Sequence, residues 1–161
     1  MRYRVYLNTP LKKGFNMPIE TIHTFFPLIA SLSAMGISQT IKCIIMMIRQ
    51  QKMDVSTLTR SGGMPSSHSA LITAITLSIG LKDGFHSSYF FLAIAFSLVV
   101  IYDARGIRHT VGKHATLLNQ TLMSSSNKKL NESIGHTLPE IIAGISIGII
   151  ISLGLYNMLN V

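Results

Sequence analysis

Along the chain, apolar positions gather into four long runs divided by short polar stretches. The first extends from about Ile22 to Ile48 (IHTFFPLIASLSAMGISQTIKCIIMMI) and the second from about Ser66 to Leu81. The third covers about Tyr89 to Ile107, and the last, about Pro139 to Leu159, reads PEIIAGISIGIIISLGLYNML. A helix that crosses the hydrocarbon core of a bilayer needs about 17 to 25 residues. The second run, at about 16 residues, is therefore marginal and is expected to begin in the polar interface. Between the third and fourth runs, HTVGKHATLLNQTLM has the alternation of an amphipathic interfacial helix, and the polar turn SSSNKKLNES follows it. The pattern predicts an all-α integral membrane protein: a compact bundle of about four transmembrane helices plus a short interfacial helix. A single membrane domain over residues 22–161 is expected behind an N-terminal tail, residues 1–21.

Composition sharpens this reading. Of 161 residues, 48% are hydrophobic and 12% charged, against about 25% charged in a typical soluble domain. The mean hydropathy is +0.43. Cys43 is the only cysteine, so no internal disulfide framework exists. A net charge of +8 raises the question of nucleic acid. The basic residues flank apolar runs, however, and form no stripe interleaved with aromatics, so the lipid bilayer is the expected partner and nucleic acid is not. The expected location is a membrane, as a multi-pass protein.

Four alternating spans place the end of the first, the start of the second, the end of the third and the start of the fourth on one membrane face. Those are the positions of the unusual polar residues: Lys42, then GGMPSSH, YDARGIRH and GHTLPE. Nine of the fourteen basic residues fall on that face (Lys42, Arg49, Lys52, Arg60, Arg105, Arg108, Lys113, Lys128 and Lys129), and the opposite loop carries only Lys82. The positive-inside rule would put the patch in the cytoplasm. Arg2, Arg4, Lys12 and Lys13 would then lie outside, unless translation begins at Met17.

Each cluster has a chemistry of its own. In SGGMPSSHSA, Gly62 and Gly63 permit backbone conformations closed to other residues. Pro65 suits a first helical turn, and Ser66 or Ser67 can cap it. Free N–H groups at such a helix start bind phosphate-like anions, and His68 follows within a turn. His136 and Glu140 are four apart at the start of the last span, where a helix beginning near His136 would stack them on one face. A carboxylate accepting from one imidazole nitrogen fixes the tautomer and leaves the other nitrogen nucleophilic. Asp103 ends the third span, with Arg105 and Arg108 near enough to pair with it or to grip a phosphate. The plainer reading of Arg105 is a cation snorkelling at the membrane border. Lys42 lies inside the first span on the face of Gln39 and needs an anionic or polar partner. A metal cage would draw on His109, His114 and Asp103. The two histidines are five apart, off a common helical face, and no metal or other cofactor is expected.

PSSH followed far downstream by GHTLPE resembles the phosphatidic acid phosphatase type 2 and vanadium haloperoxidase superfamily. SGGMPSSHSA, YDARGIRHTVGKHATLLN and GHTLPEIIAG together are similar to its small divergent bacterial and plastid branch. The resemblance covers about Gln39 to the end and implies a metal-independent phosphatase. His136 would attack phosphorus, Glu140 would orient it, and His68 would protonate the leaving oxygen. Ser66, Ser67 and Gly63 would cradle the nonbridging oxygens. The chain departs from the parent pattern: Ser67 stands in place of glycine and Glu140 in place of aspartate. The first motif, a lysine seven before Arg-Pro, is absent, and the arginine of the last motif would fall on Leu130, beside Lys129. The branch's own basic positions match Lys42 and Arg108, which take the clamp, with Asp103, Gln39 and Lys129 as support. The substrate implied is a lipid or polyprenyl phosphate. Two other classes stay open: a non-catalytic binder or carrier of anionic lipid headgroups, and a small assembly subunit whose polar residues glue helices together. A homo-oligomer would be one way to seal the site of so small a bundle.

Overall fold

The computed structural model describes residues 19–50, 63–122, 130–132 and 134–161. Residues 1–18 with Met17, and Lys52, Arg60, Gly62, Lys128 and Lys129, lie outside the described residues. The described chain forms five helices: α1 (Ile19–Gln50), α2 (Ser67–Asp83), α3 (Ser88–Arg105), α4 (Ile107–Leu122) and α5 (Leu138–Leu159). The four apolar runs are α1, α2, α3 and α5, and the amphipathic stretch is α4. Three segments, Thr21–Ile48, Ser88–Thr121 and Leu138–Leu159, are long and apolar enough to cross a membrane. At 17 residues and about 1.5 Å rise per residue, α2 is the short one. It compensates by lying inside, packed against α1, α3 and α5.

The packing follows a stripe of small residues repeated every four positions. On α1, Phe26, Ala30, Ala34, Ser38 and Lys42 are all buried. On α2 the buried series is Ser66, Ala70, Ala74 and Ser78, and on α5 it is Gly144, Gly148 and Ser152. Helices in lipid gain nothing from hiding apolar surface from one another, so close backbone approach is what holds them. Here the approach is tight. A Cβ on Gly144 would sit 2.3 Å from the Ser66 carbonyl oxygen, and one on Gly148 would sit 2.6 Å from that of Ala70. Hydroxyls complete the seam: Ser152 Oγ donates to the Ala74 carbonyl at 3.0 Å, and Ser78 Oγ donates to Ser152 Oγ at 3.3 Å. On the outside, α3 exposes Phe91, Leu92, Phe96, Leu98, Val99 and Tyr102. In water that face would be a liability, whereas in a bilayer it meets its own solvent.

Candidate functional site

The four chain segments at the polar ends of the helices meet. Ser66 N–H donates to the Glu140 carbonyl at 3.0 Å, which ties the start of α2 to the start of α5. His136 N–H donates to the Ala104 carbonyl at 3.0 Å, which ties the approach to α5 to the end of α3. Lys42, near the end of α1, packs its side chain against Gly63, whose φ of +99° places it in the region glycine favours. A Cβ there would lie 3.1 Å from Lys42 Cε.

α5 starts two residues later than His136. Its N-cap is Thr137, and Glu140 at the third helical position reaches back to accept from Thr137 N–H at 2.9 Å. This is the reciprocal arm of a capping box. The same Glu140 Oε2 lies 3.2 Å from His136 Nδ1, so one carboxylate oxygen caps the helix and holds the imidazole. His136 is thus positioned from the connector, not stacked on a helical face. Gly135 makes this possible: its φ is +90°, and a Cβ would fall 2.3 Å from His109 N. With Nδ1 held by Glu140, Nε2 is left for chemistry. His136 is 5% exposed and Glu140 19%. Burial pushes the His136 pKa below its ordinary value; the hydrogen bond and charge of Glu140 pull it up, and the charges of Lys42 and His68 add to the lowering.

A cavity of about 160 Å³ is lined by His68, Val99, Val100, Asp103, Ala104, Arg108 and His136. Two histidines 68 positions apart in sequence therefore face one small space, with an arginine beside them. Arg108 Nε donates to Asp103 Oδ2, so the carboxylate aims the guanidinium. Arg105 is exposed at the outer side of this region.

Other residues singled out from the sequence fall around the cavity and not in its wall. Ser66 is the α2 N-cap: it is fully buried, and its hydroxyl oxygen accepts from Ser69 N–H at 3.3 Å and from Ser69 Oγ at 3.0 Å. With its own N–H given to Glu140, Ser66 builds the corner where two helices start. Pro65 precedes this cap, outside the first turn, because the extended backbone of Ser66 (φ −73°, ψ 112°) is already the cap position. Ser67 is buried in the first turn, Gln39 is half-buried on α1, and Lys42 is 2% exposed with its charge acting on Glu140. Among the described residues, no three His, Cys, Asp or Glu side chains gather into a metal-holding group.

One contributor was missed from the sequence. Asn119 on α4 is 7% exposed, and its amide pairs with the backbone of Leu130, donating to the carbonyl and accepting from the N–H, both at 2.9 Å. It also donates to Glu132 Oε1 at 2.7 Å, while Thr116 Oγ1 donates to Glu132 Oε2 at 3.2 Å. The connector that delivers His136 is laced along α4 in this way. An amide inside an amphipathic helix gave no signal, because its partners lie in an irregular segment.

An uncharacterized membrane protein of Bacillus subtilis (strain 168), YuiD, is 36% identical to the chain across 81% of its length and 93% of that protein's own. No solved structure matches. Residues 24–151 match the family described as the divergent PAP2 family, a stretch that takes in the cavity and both histidines; the chain is a multi-pass membrane protein and belongs to that family.

Proposed function

We propose that the protein is a phosphatase of the bilayer surface that hydrolyses a phosphomonoester of a membrane lipid or polyprenyl alcohol through a phosphohistidine. The observation that carries this is the shared cavity, in which His68, His136 and Arg108 surround a space suited to a phosphoryl group. His136 Nε2 attacks phosphorus while the bond to the lipid oxygen breaks, and the His68 imidazolium gives its proton to that oxygen. Water then attacks the phosphohistidine, His68 takes its proton, and inorganic phosphate leaves. Arg108 and the Lys42 charge offset the negative charge of the phosphoryl oxygens. Glu140 keeps Nδ1–H engaged and stabilises the cationic phosphoimidazole. The nucleophile, the acid–base and the cations of this route are all side chains of this protein. The inner membrane of a bacterium is the proposed location.

The test is phosphate release by purified protein from a panel of lipid phosphates, with EDTA and vanadate arms. Turnover that resists EDTA, yields to vanadate and vanishes in folded His136→Ala and His68→Ala supports the histidine route. Unchanged release by His136→Ala would end it. One observation favours a second reading, a non-catalytic carrier of anionic headgroups: Ser66 gives its N–H to the Glu140 carbonyl, and Ser69 gives its N–H and hydroxyl to Ser66, which leaves fewer donors for a transition state. A carrier would bind lipid phosphates undiminished after His136→Ala.

A further inference from the structure

α3 has 18 residues, about 27 Å at 1.5 Å per residue, which is close to the thickness of the hydrocarbon core. α4 therefore begins at the membrane edge, after the break at Gly106. Of the bundle helices, α3 carries its main packing. Around its axis α4 has three different sides. Gly112, Ala115 and Asn119 are buried, and Gly112 and Asn119 meet the connector that leads to His136. Ile107, Val111 and Leu118, at helical spacing, expose an apolar stripe about 100° from the buried side. Lys113 and Gln120 are exposed on the side opposite that stripe. This is the cross-section of a helix lying in the plane of a membrane surface, with one side in acyl chains, the opposite side in water and the third on the protein. We propose that α4 docks on the surface of an anionic bilayer and that this docking holds His136 and Arg108 in place, so that the site responds to the anionic lipid around it.

Charge and continuity identify the occupant of the stripe. Ile107–Leu122 carries Arg108 and Lys113 and no aspartate or glutamate, and Arg105 is exposed just before it. The carboxylates beside it are engaged: Asp103 accepts from Arg108, and Glu132 accepts from Asn119 and Thr116. The outward field of the segment is positive and suits anionic headgroups. Ile107 also shares a surface concavity with Leu98 and Tyr102, exposed residues of the lipid-facing side of α3, so the stripe prolongs a surface already in the bilayer. The coupling to the site is steric. A Cβ on Gly112 would lie 2.6 Å from the Ile134 carbonyl oxygen and 2.9 Å from that of Glu132, and one on Gly135 would lie 2.3 Å from His109 N. Arg108, in the first turn of α4, lines the histidine cavity. Backbones this close leave no slack, so a helix that lifts from the surface takes the connector and the guanidinium with it. The docking stands on the surface of α4 itself, and only its effect on turnover rests on the phosphatase reading.

The chain has no tryptophan, so Leu118→Trp and Gln120→Trp each supply a single reporter, on opposite sides of α4. Both full-length variants are placed in nanodiscs of lipids brominated along their acyl chains, either phosphatidylcholine alone or an equal mixture with phosphatidylglycerol. Phosphatidylglycerol is a phosphodiester and so is not itself a substrate of the proposed reaction. In the mixture the Leu118→Trp reporter is expected to be quenched and the Gln120→Trp reporter is not. Wild-type amide exchange over residues 107–122 and 134–136 should slow roughly fivefold when phosphatidylglycerol is present, the effect of about one cation near an anionic surface. Lys113→Glu should abolish that slowing. Should a tryptophan variant fail to fold, the wild-type exchange comparison decides alone. Equal quenching of the two reporters, or exchange indifferent to phosphatidylglycerol, would overturn the proposal. So would a Leu118→Trp reporter that stays unquenched while the protein elutes as a dimer, because a second copy would then cover the stripe. Phosphate release that rises with phosphatidylglycerol, and loses that rise in Lys113→Glu, extends the control to turnover. Lipid-dependent exchange with no release from any lipid phosphate would keep the docking and refute the phosphatase, whereas release with indifferent exchange would do the reverse.

Discussion

Replacing Glu140 by glutamine separates two jobs that one oxygen performs. Oε2 accepts from Thr137 N–H at 2.9 Å and holds His136 Nδ1 at 3.2 Å. Glutamine keeps the length and an acceptor, so the cap survives in part, and the stability loss should stay under about 1 kcal/mol. The negative charge facing the imidazole disappears. A charge-assisted hydrogen bond contributes about 1.5–3 kcal/mol, and in the proposed route it is strongest when the ring is cationic in the phosphohistidine. At about 1.36 kcal/mol per tenfold, kcat should fall about 10- to 150-fold while the melting temperature moves by a few degrees. The assay is phosphate release at saturating lipid phosphate beside thermal unfolding of the same preparation. The profile against pH gives a second handle. Glu140 raises the His136 pKa against burial, so its neutralisation lets that pKa drop further, and the acid limb of kcat should move to lower pH. Undiminished kcat, or an acid limb that stays in place, would reduce Glu140 to a helix cap and refute the reasoning.

Three further outcomes follow from the same contacts. Wild-type kcat should hold to a pH below the ordinary histidine range, because burial keeps His136 neutral there, and then fall as the imidazole protonates. The folded ring takes up a proton less readily than the unfolded one, so unfolding midpoints should also drop as pH falls below about 6.5; midpoints flat from pH 7 to 5 would contradict this. Gly144→Ala puts a methyl 2.3 Å from the Ser66 carbonyl and 3.0 Å from Ser69 Cβ, so α2 and α5 must separate at a cost of about 1–3 kcal/mol, read as a lower midpoint in detergent unfolding. Asn119→Ala leaves the Leu130 N–H and carbonyl without their shared amide; hydrogen exchange over residues 130–136 should rise, and kcat should fall with it by about tenfold, consistent with 1–3 kcal/mol of lost hydrogen bonding. Unaltered exchange in that variant would mean the connector is held elsewhere.

Much of this arrangement is readable in the sequence, for a definite reason. Apolar runs fix the helices, and alternation of direction alone brings Lys42, Ser66, Asp103 and Glu140 to one face. What the runs do not fix is the local start of each helix. His136 and Pro65 both look like first-turn residues, yet each lies just before a cap, at Thr137 and Ser66. Capping is decided by which side chain can reach back to an N–H, a matter of a residue or two that hydropathy does not resolve. The serine cradle shows the same limit. PSSH implies hydroxyls offered to a ligand, and hydropathy gives no sign that Ser66 is fully buried and accepts from the N–H and hydroxyl of Ser69 within the first turn. Asn119 escaped notice because its meaning depends on a contact eleven residues away with no periodicity to mark it.

The small-residue stripes, by contrast, were present in the sequence as Ala30, Ala34, Ser38; Ala70, Ala74, Ser78; and Gly144, Gly148, Ser152. Their physical consequence reaches beyond packing. Continue each stripe by one step of four toward the polar face, and it arrives at Lys42 on α1, at Ser66 before α2 and at Glu140 on α5. A step of four on a helix of 3.6 residues per turn keeps nearly the same direction, so whatever turns glycine and alanine toward a neighbouring helix also turns these three polar residues inward. The seam and the floor of the site are one register. That explains why Lys42, a cation within an apolar helix, is almost wholly buried without disturbing the bundle: the position that removes it from lipid is the one that sets its charge against Glu140. It also explains why the corner at Ser66 is so crowded. The serine caps α2, ties that cap to Glu140 and receives the close approach of Gly144. Loosening the helices there must also loosen the carboxylate that aims His136, so in this protein tight packing of α2 on α5 is a condition for the geometry of the imidazole.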